Sequence, residues 1–258
     1  MSPDPAPGRD PNGEEPAMAV GRLGTERVSG REAGGSGGEA RRPADRAARQ
    51  CGANRLLAEP IHFWFDFISP FGYLASLRID DLAARHGREA LWHPLLLGVT
   101  VLQIMGLKPI PDTPLKGDYA VRELLRYQRR HGQVIGRDLF RPPMAPLPPA
   151  RLMAGLLRLE PAQAKPFARA VLKAYWREGR EIRGAEALQS IGKEAGIPAA
   201  LLARAGDNEL ARDALRDEMD QAVARGVFGS PFVIVDDEPF FGVDKFELID
   251  EWLARGGW

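Results

Sequence analysis

The aromatic residues divide this chain in two. Its eleven Phe, five Trp and four Tyr all lie at or after Phe63, so a hydrophobic core has to be built from that point onward. Residues 1–59 hold 10 of the 28 glycines and nine acidic residues, mixed with arginines and few large apolar side chains. Such a segment cannot bury enough surface to offset the entropy of ordering it, and it reads as a disordered tail. Its acidic residues set it apart from a transit peptide, and it has no apolar stretch suited to secretion. The chain therefore reads as cytoplasmic.

Composition excludes several classes of function. The 35 Lys+Arg balance 35 Asp+Glu, which gives no electrostatic ground for nucleic acid or an anionic membrane as partner. No apolar run is long enough for a membrane span. The single cysteine, Cys51, lies in the tail and rules out an intramolecular disulfide, a Cys-x-x-Cys redox pair and a thiolate zinc cage. Four scattered histidines, at 62, 86, 93 and 131, argue against a histidine-rich metal site.

Beyond the tail, Ile61–Phe67 is β-rich and bounded by prolines, with Phe63, Phe65 and Phe67 on one face and Trp64 and Asp66 on the other. Pro70 suits the first position of a helix over Phe71–His86, stopped by Gly87. A second strand follows over Ala90–Leu97, giving a β-α-β opening with a right-handed crossover. From Val99 to about Ala205 the periodicity is helical, broken by proline clusters at 109–114 and 142–149. A long helix over Asn208–Gly226, a hairpin of Phe232–Val235 and Pro239–Phe241, and an amphipathic helix over Asp244–Arg255 complete the chain. The order predicts an α/β thioredoxin-like fold, β-α-β … α-β-β-α, with a large inserted helical domain. The thioredoxin-like part covers 60–98 and 207–258, and the insertion covers 99–206.

Three segments carry candidate chemistry. In Asp66-Phe67-Ile68-Ser69-Pro70, a hydroxyl stands where a strand hands over to a helix, a place that favours an anion; serine there is also an ordinary N-cap. In Gly229-Ser230-Pro231, a proline opens a buried strand, where a cis peptide would present the Ser230 backbone to an extended ligand. A trans proline starting a strand is the commoner alternative. In Gly242-Val243-Asp244, the aspartate suits either a helix cap or a ligand ammonium.

In this order and spacing the chain resembles the 2-hydroxychromene-2-carboxylate isomerases, with kappa-class glutathione transferases as close relatives, in the disulfide-oxidoreductase-like branch of the thioredoxin superfamily. The matching residues are F-x-F-D-F-I-S-P-F-G-Y-L-A at 63–75, P-L-L-L-G at 94–98 and P-L-K-G-D-Y at 114–119. G-V-F-G-S-P-F at 226–232 and F-F-G-V-D-K at 240–245 complete the set. The resemblance implies glutathione as cofactor, no metal and a homodimer by analogy. It places Ser69 where redox relatives keep their first cysteine, with its hydroxyl bonded to the glutathione thiolate. It gives Ser230 and Pro231 to the cysteinyl backbone, Gly242, Val243 and Asp244 to the γ-glutamyl end, and Lys116 to the substrate. The second redox position falls at Gly72, which excludes disulfide exchange through the usual pair. Leu107 stands where relatives often carry Asn, which removes a polar contact. The implied activity is a cis-trans isomerisation of an enone-pyruvate in aromatic compound degradation. A conjugating glutathione transferase and a non-catalytic thioredoxin-like binding protein are the alternatives.

Overall fold

A computed structural model describes residues 59–258 apart from Phe140; the expected tail over 1–59, with Cys51, lies outside the described residues but for Glu59. Strand β1, Ile61–Phe65, is followed by two short helices, α1 (Pro70–Ser76) and α2 (Ile79–Arg85), and by β2 (Ala90–Pro94). The single helix expected over Phe71–His86 is thus broken at Leu77 and Arg78. At the break Arg78 leaves helical geometry (φ −126°), and its guanidinium reaches Tyr127 Oη at 2.6 Å and Glu247 at 3.3 Å. A continuous helix would have to give up that backbone geometry.

After β2 come a π-helical segment, Gly98–Ile104, and a 3₁₀ turn, Ile110–Asp112. Then follow α3 (Lys116–His131), α4 (Leu147–Leu159), α5 (Pro161–Leu172), α6 (Gly184–Glu194) and α7 (Ala199–Ala205). Helix α5 passes into a π-helical turn at Lys173–Arg177. The long α8 (Asn208–Ala224) leads into β3 (Phe232–Val235) and β4 (Glu238–Phe241), and α9 (Phe246–Arg255) ends the chain. None of the described helices is long and apolar enough to cross a membrane.

The four strands form one sheet in the order β2-β1-β3-β4. Strands β1 and β2 are parallel, while β3 runs antiparallel to both β1 and β4. This is a thioredoxin-like arrangement with β1 inside the sheet, which explains why Trp64 is buried on the face opposite Phe63 and Phe65. On one face Phe63 and Phe65 stack at 5.4 Å and meet Trp92 edge-on. All three are buried, and each contributes about 1.5–3 kcal/mol by leaving water. On the other face His62 bonds His93 at 3.0 Å, and His93 bonds Glu218 of α8 at 2.9 Å. The β3–β4 turn places Asp236 and Asp237 at positive φ, 50° and 65°. Two such residues in a two-residue loop match the right-handed twist of a hairpin.

Candidate active site

The carboxyl end of β1 and the amino end of α1 meet in a tight turn, in which Ser69 N–H donates to Asp66 C=O at 3.0 Å. Ser69 then caps α1: its Oγ accepts the Gly72 N–H at 3.0 Å, and Pro70 takes the first helical position, where no N–H is needed. The same hydroxyl donates to Ser230 C=O at 3.1 Å, across 161 residues of sequence. The Ser230–Pro231 peptide is cis. Ser230 Oγ in turn accepts the Asp66 N–H at 2.9 Å. Ser230 is therefore tied to the Ser69 turn by two hydrogen bonds, one from Ser69 Oγ and one from the Asp66 N–H.

Gly72 stands at the centre of this arrangement. A Cβ there would come within 2.7 Å of Ser230 Oγ and 3.3 Å of Ser69 Oγ, so the close approach of the two loops requires a residue without a side chain. The loop after β4 joins from the other side, with Gly242 N–H donating to Pro231 C=O at 3.1 Å. Gly242 has φ +110°, and a Cβ on it would stand 2.4 Å from Asp244 Oδ1. Asp244 does not cap α9, which begins without a side-chain cap; its carboxylate lies 2.5 Å from Lys245 Nζ. Val243 is buried, and its carbonyl accepts from Tyr127 Oη at 3.4 Å.

The structure thus brings together Ser69, Ser230, Pro231 and Gly242, with Val243 and Asp244 adjoining Gly242 in sequence. Lys116 is not among them: it is the exposed first residue of α3 and pairs with no carboxylate among the described residues. Leu107 is likewise exposed, at 55%. A cleft of about 420 Å³ lies elsewhere, in the helical block, lined by Arg141, Met144, Ile182 and Leu188 among others. None of the site residues borders it.

Three further groups support the site: Asp66, which stands in the first candidate segment of the sequence, and two that sequence reasoning passed over. Asp66 is fully buried and holds the site's backbone, with Oδ1 accepting from Ile68 N–H at 3.1 Å and Oδ2 from Leu97 N–H at 2.8 Å. Burial pushes its pKa from 3.8 up to about 6, and the two N–H donors pull against that rise. Trp176, in the π-helical turn after α5, donates its indole N–H to Phe67 C=O at 2.9 Å and stacks on Tyr73. It ties the helical block to the Ser69 turn, and no local pattern marks it. The Ser230 side chain is the third. Its hydroxyl was visible in the sequence, but only its backbone had an assigned role.

Residues 60–254 match the model of the DSBA-like thioredoxin domain. A protein of Sphingobium xenophagum named 2-hydroxychromene-2-carboxylate isomerase is 29% identical over 205 residues, covering 76% of this chain and 99% of its own. One of the same name from Pseudomonas putida is 27% identical over 199 residues, covering 76% and 94%. Among solved structures, a 2-hydroxychromene-2-carboxylate isomerase superposes with a TM-score of 0.65 at 24% identity, over 76% of this chain and 95% of that one. The chain belongs to the DSBA-like thioredoxin-domain family and, within it, resembles the 2-hydroxychromene-2-carboxylate isomerases.

Proposed function

We propose that this protein is a glutathione-dependent isomerase acting on a 2-hydroxychromene-2-carboxylate-like enone-pyruvate in aromatic compound degradation. The observation that carries the reading is the Ser69 hydroxyl, capping α1 and lying 3.1 Å from the backbone of Ser230 beside the cis peptide to Pro231. The isomerase names of the curated relatives support the reaction type. The residues present fit glutathione: two hydroxyls, a glycine between them and a Gly-x-Asp turn adjoining the cis-proline loop.

When bound, glutathione supplies a sulfur anion that adds reversibly to a conjugated double bond, so that the bond rotates before the sulfur leaves and nothing is consumed. The protein's task is to hold that sulfur ionised. A free thiol near pKa 8.5 is only about 3% ionised at pH 7. Ionising most of it takes a shift of about two units, or about 2.7 kcal/mol. A hydrogen bond to a charged group contributes about 1.5–3 kcal/mol. Helix α1 is only seven residues long and the Gly72 N–H is already engaged by Ser69, so the helix dipole is a secondary contributor. The hydroxyl acts as a stabiliser and not as a nucleophile. Lys116, whose exposed ammonium pairs with no described carboxylate, is proposed to receive the substrate carboxylate.

The test is a spectrophotometric isomerisation assay with and without glutathione, comparing wild type with Ser69→Ala. Substitution should lower the rate by about 10- to 100-fold, the kinetic equivalent of one charge-assisted hydrogen bond, and omission, which removes the sulfur itself, should leave only the uncatalysed rate. Free glutathione should be recovered unchanged, which separates an isomerase from a conjugating transferase. Equal rates in all four conditions overturn the proposal.

A further inference from the structure

The Ser69 hydroxyl has one proton to give, and that proton is already committed to Ser230 C=O at 3.1 Å. Ser230 is in the opposite condition. Its Oγ accepts the Asp66 N–H at 2.9 Å, while its own proton meets no acceptor among the described residues. A hydroxyl carries one donor and two acceptor sites, and an accepted hydrogen bond polarises the O–H and strengthens its donation. Ser69 is 5% exposed, whereas Ser230 is only partly buried. Of the two residues Ser230 is the more exposed, and it carries the uncommitted donor.

The two oxygens also converge. One point against Gly72, where a Cβ would sit, lies 2.7 Å from Ser230 Oγ and 3.3 Å from Ser69 Oγ. That point is too crowded for a side chain, but its two distances put the oxygens near enough to each other for one sulfur on their open side to be reached by both.

We propose that the Ser230 side chain is a second catalytic hydroxyl, donating to the sulfur anion of the bound thiol alongside Ser69. The proposal rests on the glutathione reading above. It divides the work in an order set by the resting hydrogen bonds. Ser230 donates on arrival of the ligand. Ser69 becomes available when an N–H of the extended ligand takes over Ser230 C=O and releases the Ser69 proton. Backbone pairing and thiolate stabilisation are in this way coupled through a single carbonyl.

The experiment measures the pKa of the glutathione thiol on the protein, from the ultraviolet absorbance of the thiolate against pH, with binding followed separately by calorimetry. Wild type, Ser69→Ala, Ser230→Ala and Ser230→Thr are compared. Ser230→Ala should raise the bound thiol's pKa by about one to two units, a 10- to 100-fold loss of thiolate relative to thiol. Ser230→Thr, which keeps a hydroxyl, should restore the wild-type value. A Ser230→Ala protein that binds glutathione with the wild-type thiol pKa, while Ser69→Ala shifts it, overturns the proposal and leaves the glutathione reading intact. A wild-type protein that does not bind reduced glutathione overturns both. Ser230→Ala also strips the Asp66 N–H of its acceptor; should it fail to fold, a crystal structure of the wild-type glutathione complex decides. Sulfur within hydrogen-bonding distance of both Oγ atoms supports the assignment, and sulfur reached by Ser69 alone overturns it.

Discussion

Replacing Asp66 with asparagine should change how the protein's stability depends on pH, and the size of the change follows from the site. Asp66 is fully buried, has two backbone N–H donors and forms no ion pair among the described residues. Its pKa stands at about 6 in the folded protein against an ordinary 3.8, because burial disfavours the charge more than the donors favour it. A raised carboxyl pKa means that the folded state holds the proton more tightly than the unfolded chain does. The resulting stability is fully present below about pH 4 and is lost as pH rises through about 6. A gap of about two units corresponds to about 3 kcal/mol, of which about 2 kcal/mol fall between pH 4.5 and 7.5. The asparagine has no charge to bury, but it keeps only one acceptor oxygen. It therefore forfeits one N–H partner at every pH, a roughly constant cost of about 1–3 kcal/mol. Urea unfolding of both proteins at pH 4.5 and 7.5 isolates the effect, since other titrating groups cancel in the difference. The stability of wild type relative to Asp66→Asn should fall by about 2 kcal/mol across that interval. A flat difference would refute the reasoning. A rising one would show that the two N–H donors outweigh burial and hold Asp66 below its ordinary pKa.

Three further outcomes are expected. Trp176→Phe removes the indole N–H from the Phe67 carbonyl and should cost about 1–3 kcal/mol through the unpaired buried carbonyl, read as a lower Tm; an unchanged Tm would dismiss Trp176 as an anchor of the Ser69 turn. Gly155→Ala would set a Cβ 2.0 Å from Ala205 C=O, forcing α4 and α7 apart and destabilising by about 1–3 kcal/mol or more in urea unfolding. His62 has the opposite pH signature to Asp66. Burial, followed by the nearby His93 and Arg225, lowers its pKa from 6.5 to about 4. Its contribution is therefore present above about pH 6.5 and lost as pH falls toward 4, so wild type should lose stability relative to His62→Gln over that range; a constant difference would count against it.

The sheet was legible because its strands are short apolar runs fenced by proline and glycine. Ile61–Phe65 and Phe232–Val235 stand where the β-rich runs begin after Pro60 and Pro231. The helical block was legible as helix but not in kind. An apolar stripe looks much the same whether a turn takes 3.6 residues or more, so the π-helical segments at Gly98–Ile104 and Lys173–Arg177 left no separate mark. The break at Arg78 was equally hidden, since its cause is Tyr127, Glu247 and the Phe246 ring, all remote in sequence.

The sequence alone determined that the core begins near Phe63, that no cysteine pair is available for redox chemistry, and that a serine caps the helix after the first strand. Those are matters of residue type and local spacing, and they hold however the chain is arranged. Only the tertiary structure decided that this serine faces Ser230, that Gly72 must lack a side chain for them to meet, and that the Ser69 proton is spent while the Ser230 proton meets no acceptor among the described residues. A hydrogen bond is fixed by direction and by a few tenths of an ångström, and across 161 residues only the packed sheet sets those quantities.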